Sequence, residues 1–309
     1  MRFDKQLKAH AKINLFLYMS GYRQDGYHLL YSLMQSVELA DFVRISVSDH
    51  DESDDNILTY SLSGLEINDT GRNTVMDAVA LYMNAISAKG YRVHADIHKC
   101  IPDRAGLGGG SADAAAALKL MNEAFSERLS EEFLSELALT IGADVPFALQ
   151  GGAAVCRGIG EIITNVPAYS DLYVLLIKPD TGISTIQAYQ SFDLAQGERL
   201  RKEPKVFFDA DYIDNTFEDT VKRVNNNKAS WHNDFEPIAF AAIPELSEIK
   251  RFIYDMGALY ASMSGSGSTM YGCFSNEEAL VAAYSEALKR FGNDRYFVGK
   301  TRTISSLRS

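Results

Sequence analysis

The stretch Ile101-Pro-Asp-Arg-Ala-Gly-Leu-Gly-Gly-Gly-Ser-Ala-Asp-Ala-Ala-Ala-Ala-Leu118 decides the expected fold and site of this chain. Four glycines lie between Gly106 and Gly110, and glycine can take positive φ and approach a ligand closely. The alanine-rich run after Ser111 has high helix propensity. A glycine loop that opens a helix leaves backbone N–H groups unpaired at the positive end of the helix dipole. The stretch therefore predicts a phosphate site, with a flexible linker as the alternative.

This loop differs from the two common phosphate-binding motifs. A P-loop carries Gly-Lys followed by Ser or Thr, and no lysine follows Gly110. The dinucleotide motif spaces its glycines as G-x-G-x-x-G, whereas Gly106, Gly108, Gly109 and Gly110 are closer together. Gly299-Lys-Thr301 has a P-loop ending, but no helical pattern follows it, so we interpret it as the end of a strand.

The composition is that of a globular protein with about two domains, and the use of cysteine predicts a reducing cytosol. The chain has 309 residues and a formal net charge of −11, which predicts no binding to nucleic acid or to anionic membranes. Cys100, Cys156 and Cys273 are too few and too widely spaced for a disulfide framework or a metal knuckle. No apolar segment follows the charged N-terminus, so we expect no signal peptide. Monomer and homodimer both remain open.

The hydrophobic pattern predicts a mixed chain with a boundary near residues 167–171. Strands are predicted at 8–19, 42–47, 91–99, 151–155, 157–161, 172–177, 259–263, 269–274 and 296–304, and residues 29–39 are ambiguous between strand and helix. Helices are predicted at 73–89, 111–125, 130–140, 181–189, 214–224, 233–242, 246–256 and 277–290. The order of elements in the second half suggests helices packed on an antiparallel sheet.

Three charged or polar residues stand out from apolar surroundings. Lys12 and Asn14 lie on one face of the first strand, because strand side chains alternate; a solvated strand face is the alternative. Asp144 lies in the apolar run Ile141-Gly-Ala-Asp-Val-Pro-Phe147, where a carboxylate needs a partner or a function. A helix-capping role for Asp144 is the alternative. Lys99 ends the strand that enters the glycine loop, so it could add charge to the phosphate site.

The order of these motifs resembles the GHMP small-molecule kinase superfamily. Lys12-Ile-Asn14, the loop from Pro102 to Ala115, and Ser264-Gly-Ser-Gly267 carry the resemblance. Three further motifs, Asp25-Gly-Tyr-His28, Gly142-Ala-Asp-Val-Pro146 and Gly158-Ile-Gly-Glu161, resemble the members that phosphorylate a cytidine-diphosphate-linked polyol of the non-mevalonate isoprenoid pathway. The resemblance covers about Ala11 to Gly272.

The resemblance implies an α+β fold with two domains. Residues 1–168 would form a GHMP kinase N-terminal domain that is similar to ribosomal protein S5 and carries the ATP phosphate loop, the catalytic aspartate and the lysine. Residues 169–309 would form a ferredoxin-like C-terminal domain.

The resemblance also implies roles for particular residues in transfer of a phosphoryl group from ATP. Asp144 would accept the proton of the substrate hydroxyl, Lys12 would pair with it and offset negative charge, and Asn14 would orient the pair. ATP would be bound by Lys99, Pro102, Gly106, Leu107, Gly108, Gly109, Gly110, Ser111 and Ala112. The small-molecule acceptor would contact Asn14, Tyr27, His28, Asp144, Tyr189 and Gly265. Mg²⁺ would bridge the phosphate oxygens of ATP. The sequence does not identify the protein ligands of this ion.

Two departures and two alternatives accompany this interpretation. The loop has Ser111-Ala-Asp113 where the family more often has a second serine, and residues 193–230 follow no recognisable pattern.

Another GHMP kinase, acting on homoserine, mevalonate or a sugar, is one alternative. Tyr27, His28 and Tyr189 argue against it, because those acceptors carry no nucleobase. A non-catalytic nucleotide-binding module is the other, although the chain retains Lys12 and Asp144.

Overall fold

The computed structural model of the chain describes residues 2–50, 55–66, 73–169, 172–204 and 231–305. The helix predicted at 214–224 lies outside the described residues. The chain divides into two compact units: unit 1 comprises Met1–Ala11, Leu39–Asp103 and Gly108–Gln150, and unit 2 comprises Lys12–Glu38, Arg104–Leu107 and Gly151–Ser309. The domain boundary predicted between residues 168 and 169 stays a prediction.

Two long strands, β1 (Arg2–Tyr22) and β2 (His28–Asp49), pair with each other and contribute residues to both units. The other strands are β3 (Ile57–Gly64), β4 (Tyr91–Lys99), β5 (Ala153–Gly158), β6 (Ile162–Val166), β7 (Tyr173–Pro179), β8 (Tyr260–Met263), β9 (Met270–Phe274) and β10 (Tyr296–Arg302). The α-helices are α1 (Thr74–Ala85), α2 (Gly109–Ala124), α3 (Glu131–Ile141), α4 (Val145–Gln150), α5 (Thr185–Phe192), α6 (Glu198–Lys202), α7 (Glu236–Ala242), α8 (Glu245–Asp255) and α9 (Glu277–Phe291). A π-helix, Asp193–Gly197, joins α5 to α6.

Unit 1 builds its core from one sheet face and a helix of small residues. Strand β4 runs antiparallel to β2 and parallel to β3, and α1 lies in the chain between the parallel pair β3 and β4. The alternation in β4 buries Val93, Ala95 and Ile97, as predicted. Five buried alanines of α2, at positions 112 and 114–117, belong to the same core cluster, because side chains this small let the helix pack closely.

Unit 2 contains an antiparallel sheet in the order β10-β7-β9-β8. Counted along the chain, these are the fourth, first, third and second strands of the sheet. Each neighbouring pair is antiparallel, which confirms the predicted antiparallel sheet. Strand β7 is central and almost wholly buried, in line with its unbroken apolar sequence. Strand β2 also pairs with β5, and β5 with β6, both antiparallel.

Two sequence predictions are corrected and one ambiguity is resolved. The helix predicted at 73–89 ends at Ala85, because Ser87 takes φ 52° and the N–H of Ala88 donates to the Met83 carbonyl at 3.0 Å, which is the Schellman way of ending a helix. The ambiguous residues 29–39 belong to strand β2, whose buried run lacks the alternation of a half-exposed strand. The strand predicted at 157–161 is instead the end of β5 and a turn.

No helix among the described residues is long and apolar enough to cross a membrane.

Candidate active site

Strand β1 carries a buried lysine beside a buried asparagine. Lys12 and Asn14 are 6% and 1% exposed, and the Lys12 Nζ donates to the Asn14 Oδ1 at 2.6 Å. Their spacing puts both on one strand face, as predicted, and the alternative of a solvated face is wrong. Because Asn14 is neutral, this bond orients the ammonium group without cancelling its charge.

Further hydrogen bonds fix the orientation of Asn14. Its Nδ2 donates to the Ser32 Oγ at 2.8 Å, and that hydroxyl donates on to the Phe16 carbonyl at 2.7 Å. The Tyr271 Oη donates to the Asn14 carbonyl at 2.8 Å. Burial raises the pKa of Tyr271 well above its ordinary value, so the phenol stays protonated and able to donate. The amide of Asn14 therefore presents its oxygen to Lys12.

The two glycine loops contact each other within unit 2. The Ser264 Oγ donates to the Gly106 carbonyl at 2.9 Å, across 158 residues of sequence. Gly106 has φ 73°, and a Cβ there would lie 2.0 Å from the Ser264 carbonyl oxygen. A Cβ on Gly265 would lie 3.1 Å from the Gly106 carbonyl oxygen and 3.4 Å from the Lys12 Nζ. Gly106 is therefore required for space as well as for backbone conformation, whereas Gly265 is favoured chiefly by its positive φ.

Asn233 holds the second loop in this position. Its Nδ2 donates to the carbonyls of Met263 at 2.8 Å and Gly265 at 2.7 Å, and the residue is 1% exposed. Gly265 has φ 58°, a left-handed conformation that this bond helps to maintain. The two loops are thus fixed by side chains rather than by secondary structure.

Helix α2 begins at the end of the first glycine loop with its N-terminus uncapped by a side chain. Gly108 is the N-cap residue with φ 72°, and the Ala112 N–H donates to its carbonyl at 2.9 Å. A Cβ on Gly109 would lie 3.1 Å from the Ile101 Cγ2, so the loop packs tightly there. The first turn, with Gly110 and half-buried Ser111, has the backbone donors that an anion site needs.

Lys99 lies beneath this helix and has two carboxylate partners within unit 1. Its Nζ donates to the Asp113 Oδ2 at 2.5 Å and also to the Asp41 Oδ2. The Asp41 Oδ1 accepts the N–H groups of Cys100 at 2.6 Å and Ile101 at 2.7 Å. A phosphate would have to compete with both carboxylates for the Lys99 charge. The predicted contact of Lys99 with ATP stays a prediction, and the contacts shown are those of a residue that holds the loop and α2 together.

Asp113 is the least satisfied member of this buried triad. Burial raises its pKa to about 7; the Lys99 ammonium opposes the rise and Asp41 adds to it. Its Oδ1 is buried and has no hydrogen-bond partner among the described residues. Position 113 belongs to Ser111-Ala-Asp113, the place where the loop departs from the family pattern.

Asp144 lies in unit 1 directly before α4. Its carbonyl accepts the Ala148 N–H at 3.0 Å, which is the first bond of the helix, so Asp144 occupies the N-cap position. Val145, Pro146 and Phe147 are buried, whereas Asp144 is half-buried. The backbone position fits the capping alternative and leaves the carboxylate partly accessible. Its pairing with Lys12 stays a prediction.

The turn between β1 and β2 presents the predicted recognition residues. Tyr27 is 59% exposed, and the Arg23 guanidinium lies 4.9 Å from its ring centroid. The ring centroids of His28 and Tyr189 are 4.7 Å apart, and the Tyr189 ring meets the Phe235 ring edge-on at 5.0 Å. The structure therefore brings His28 and Tyr189 together.

Sequence analysis missed the polar side chains that hold these candidates in place. They are Tyr22, Ser32, Asp41, Asp113, Asp193, Asn233 and Tyr271. Asp41 could have been found by the criterion that singled out Asp144, a carboxylate in an apolar run. The others carry no local signal, because their partners are distant in sequence. Among the described residues, no group of three or more His, Cys, Asp or Glu side chains could hold a metal ion.

Comparison with known families identifies the class of protein. Residues 73–152 match the family model of the GHMP kinase N-terminal domain, and residues 218–294 match that of the GHMP kinase C-terminal domain. Relatives over almost the whole length narrow the class. One from Clostridium botulinum is 38% identical, covering 96% of this chain and 99% of the relative, and one from Clostridium beijerinckii is 34% identical, covering 97% and 100%. Both are named 4-diphosphocytidyl-2-C-methyl-D-erythritol kinase. The chain belongs to this family of GHMP kinases.

Solved structures agree with the family and confirm the expected fold. A crystal structure of 4-(cytidine 5'-diphospho)-2C-methyl-D-erythritol kinase superposes with a TM-score of 0.71 at 28% identity, covering 96% of this chain and 99% of that one. A homoserine kinase from Cytophaga hutchinsonii superposes with the same TM-score at 20% identity, covering 97% and 95%. The second likeness shows the fold alone.

The contact between Gly106 and Ser264 generates a prediction about stability. We expect Gly106→Ala to lower the free energy of unfolding by more than the roughly 1–2 kcal/mol of a left-handed alanine, because the new Cβ would also displace the Ser264 carbonyl. Gly257→Ala is the matched control, since Gly257 has φ 86° and no atom within 4 Å of its Cβ position. Urea unfolding measures both variants, and equal losses would contradict the contact.

The raised pKa of Asp113 generates a prediction about pH. Native Asp113 binds its proton more tightly than the unfolded chain does, so its contribution to stability falls as the pH rises from about 4 to about 7. We expect Asp113→Asn to make the free energy of unfolding less dependent on pH over this range. Urea unfolding at several pH values measures the slope. Glu136→Gln, on the exposed side of α3, is the charge-matched control; a wild-type slope in Asp113→Asn would refute the assignment.

Proposed function

We propose that this kinase transfers the γ-phosphoryl group of ATP to a hydroxyl of 4-diphosphocytidyl-2-C-methyl-D-erythritol, giving the 2-phosphate, a step of the non-mevalonate isoprenoid pathway. The observation that carries the proposal is the buried Lys12 and Asn14 pair, fixed against two glycine loops, in a chain whose full-length relatives are named for this substrate. Burying a lysine side chain carries a desolvation penalty. A non-catalytic nucleotide-binding module would not need a lysine in this buried position.

In this proposal each glycine loop has a separate task. The ATP phosphates bind at the N-terminus of α2, where the backbone from Gly108 to Ser111 supplies N–H donors and the helix dipole favours negative charge, with Ala112 closing the first turn. Leu107 is fixed by its carbonyl, which accepts the Lys12 N–H at 2.9 Å. Pro102 and Gly106 shape the entry to the loop. Gly265, in the second loop, lets a substrate approach the Lys12 ammonium because it has no side chain to block the path.

The chemistry requires positioning and charge stabilisation more than covalent catalysis. Asp144 accepts the proton of the attacking hydroxyl, and a positioned base contributes about 10²–10⁴-fold. Lys12 stabilises the negative charge that develops on the transferred group, with its direction set by Asn14. Mg²⁺ bound to the ATP phosphates would neutralise their charge. Mg²⁺ in such sites is held by the substrate phosphates together with one or two protein carboxylates.

The acceptor binds through its cytosine and its polyol. His28 and Tyr189, in ring contact, recognise the cytosine together with Tyr27 from the turn. Stacking on aromatic rings contributes roughly 1–3 kcal/mol per base and does not separate one base from another. Discrimination must come from hydrogen bonds to the base edge. We place the enzyme in the cytoplasm because its three cysteines are free thiols. Its oligomeric state, monomer or homodimer, stays a prediction.

The proposal is tested by ADP release with a panel of hydroxyl acceptors. We expect turnover with 4-diphosphocytidyl-2-C-methyl-D-erythritol and at least about a hundredfold lower kcat/KM with homoserine, mevalonate or galactose, because these lack the base that the aromatic residues bind. CMP should inhibit competitively against the acceptor and not against ATP. Faster turnover of homoserine or mevalonate would assign the chain to another branch of the superfamily, and no turnover of any acceptor would favour a binding module.

The role of Asp144 is tested by Asp144→Ala. We expect kcat to fall by at least tenfold, which corresponds to about 1.4 kcal/mol, while the Kd for ATP changes by less than about twofold. Steady-state kinetics and calorimetric titration with ATP measure the two effects. Glu136→Ala removes an exposed carboxylate from α3 and serves as the control. A variant that keeps more than a tenth of the wild-type kcat would exclude Asp144 as the base.

A further inference from the structure

A partly buried carboxylate in the region that the sequence left unexplained contacts the predicted recognition histidine. The Asp193 Oδ1 lies 2.8 Å from the His28 Nε2 and accepts a second hydrogen bond from the Tyr22 Oη. The Tyr22 and His28 rings are 4.7 Å apart, and Tyr189 lies at the same distance from His28. All four residues belong to unit 2.

The carboxylate of Asp193 is ionised in this cluster and accepts hydrogen bonds. Burial tends to raise the pKa of Asp193, but hydrogen bonds from Tyr22 and His28 outweigh it, and the net pKa is lowered. Burial, followed by the hydrogen bond and the charge of Asp193, raises the pKa of Tyr22 to about 12. At neutral pH the carboxylate is therefore ionised and the phenol is a donor. An ionised carboxylate can only accept, so the His28 Nε2 must carry a proton.

The backbone around Asp193 is shaped to permit these contacts. Asp193 begins the π-helix Asp193–Gly197, and single π-turns within helices are frequent at functional sites. A Cβ on Gly197 would lie 2.9 Å from the Tyr22 Oη and 3.1 Å from the Asp193 Oδ1, so only glycine leaves room for this pair. The Arg201 guanidinium covers the Tyr22 ring at 4.4 Å from its centroid.

A fixed tautomer of His28 has consequences for base recognition. In a neutral imidazole whose Nε2 is protonated, Nδ1 has no proton and accepts hydrogen bonds. Cytosine presents an exocyclic amino group as a donor at C4, whereas uracil and thymine present a carbonyl oxygen there. The tautomer with Nε2 protonated therefore pairs with a cytosine edge and leaves two acceptors facing each other with uracil. The side chain of His28 is 13% exposed, which leaves part of the ring accessible to a ligand.

We propose that Asp193, fixed by Tyr22, is a positioning residue that keeps His28 in the tautomer with Nε2 protonated and so makes the acceptor site selective for cytosine over uracil. This proposal rests on the proposed function, because it assumes that His28 faces the base of the acceptor. It gives Asp193, which lies in the segment that the sequence left unassigned, a role in specificity.

The first test measures the tautomer directly and needs no substrate. The chain has six histidines, so long-range ¹H–¹⁵N correlation spectra of the imidazoles can be assigned, with His28→Gln identifying the His28 signals. We expect one protonated and one unprotonated nitrogen at neutral pH, with the proton on Nε2. In Asp193→Asn, whose amide can both donate and accept, we expect a mixture of tautomers. A proton on Nδ1 in the wild type, or protons on both nitrogens, would overturn the proposal.

The second test measures selectivity. We expect CMP to inhibit the wild-type enzyme with an inhibition constant about 5- to 100-fold below that of UMP, the range of one buried group left unpaired. Asp193→Asn should reduce this ratio by at least about fivefold and raise the KM of the acceptor more than it lowers kcat, because base binding is equal in the ground and transition states. The KM of ATP should not change. Glu198→Gln, which removes an exposed carboxylate from the adjoining helix α6, is the control.

The outcomes separate this proposal from the proposed function. If CMP does not compete with the acceptor in the wild type, the proposed function fails. If CMP competes but Asp193→Asn keeps both the CMP preference and the wild-type imidazole spectrum, only the role of Asp193 fails. Should Asp193→Asn not fold, the wild-type spectrum still decides the tautomer, and Tyr22→Phe, which leaves the Asp193–His28 contact in place, should retain it.

Discussion

The backbone contact between Gly106 and Ser264 is the constraint on which the site of unit 2 depends. It is possible only because Gly106 has no Cβ, since one would lie 2.0 Å from the Ser264 carbonyl oxygen. The Ser264 hydroxyl donates to the Gly106 carbonyl and also accepts the Asn14 N–H at 3.3 Å, so one side chain joins three segments that are distant in sequence. These polar groups are buried, and each would carry a desolvation penalty if its partner were removed. The geometry around Lys12 follows from this junction.

The two buried lysines near the glycine loop illustrate opposite uses of the same residue. Lys12 donates to a neutral amide, which directs its charge without neutralising it. Lys99 donates to Asp41 and Asp113, and through Asp41 it also secures the backbone that leads into the loop. A cation surrounded by two carboxylates contributes to the structure more than to anion binding. Lys12 lies within β1 and Lys99 is the last residue of β4. Their hydrogen-bond partners, which the sequence does not show, separate these roles.

The fold by itself does not select the substrate. The structures of a cytidine-diphosphate polyol kinase and of a homoserine kinase superpose on this chain with the same TM-score of 0.71. The relatives at 34% and 38% identity separate the two, because they are named for the first activity and not for the second. On a shared fold, function is decided by local sites rather than by the sheets. Asp193 carries no local sequence signal, because its partners Tyr22 and His28 are distant in sequence.

The sequence by itself determined the elements whose signals are local. Alternation placed Lys12 and Asn14 on one strand face, the glycine run located the start of α2, and the apolar run from Leu172 to Ile177 marked a strand. Tertiary structure alone decided which distant groups meet: Ser264 with Gly106, Lys99 with Asp41 and Asp113, and Asp193 with His28. The physical reason is that periodicity and backbone propensity act over a few residues, whereas these hydrogen bonds depend on packing that brings chain segments together across 14 to 165 positions.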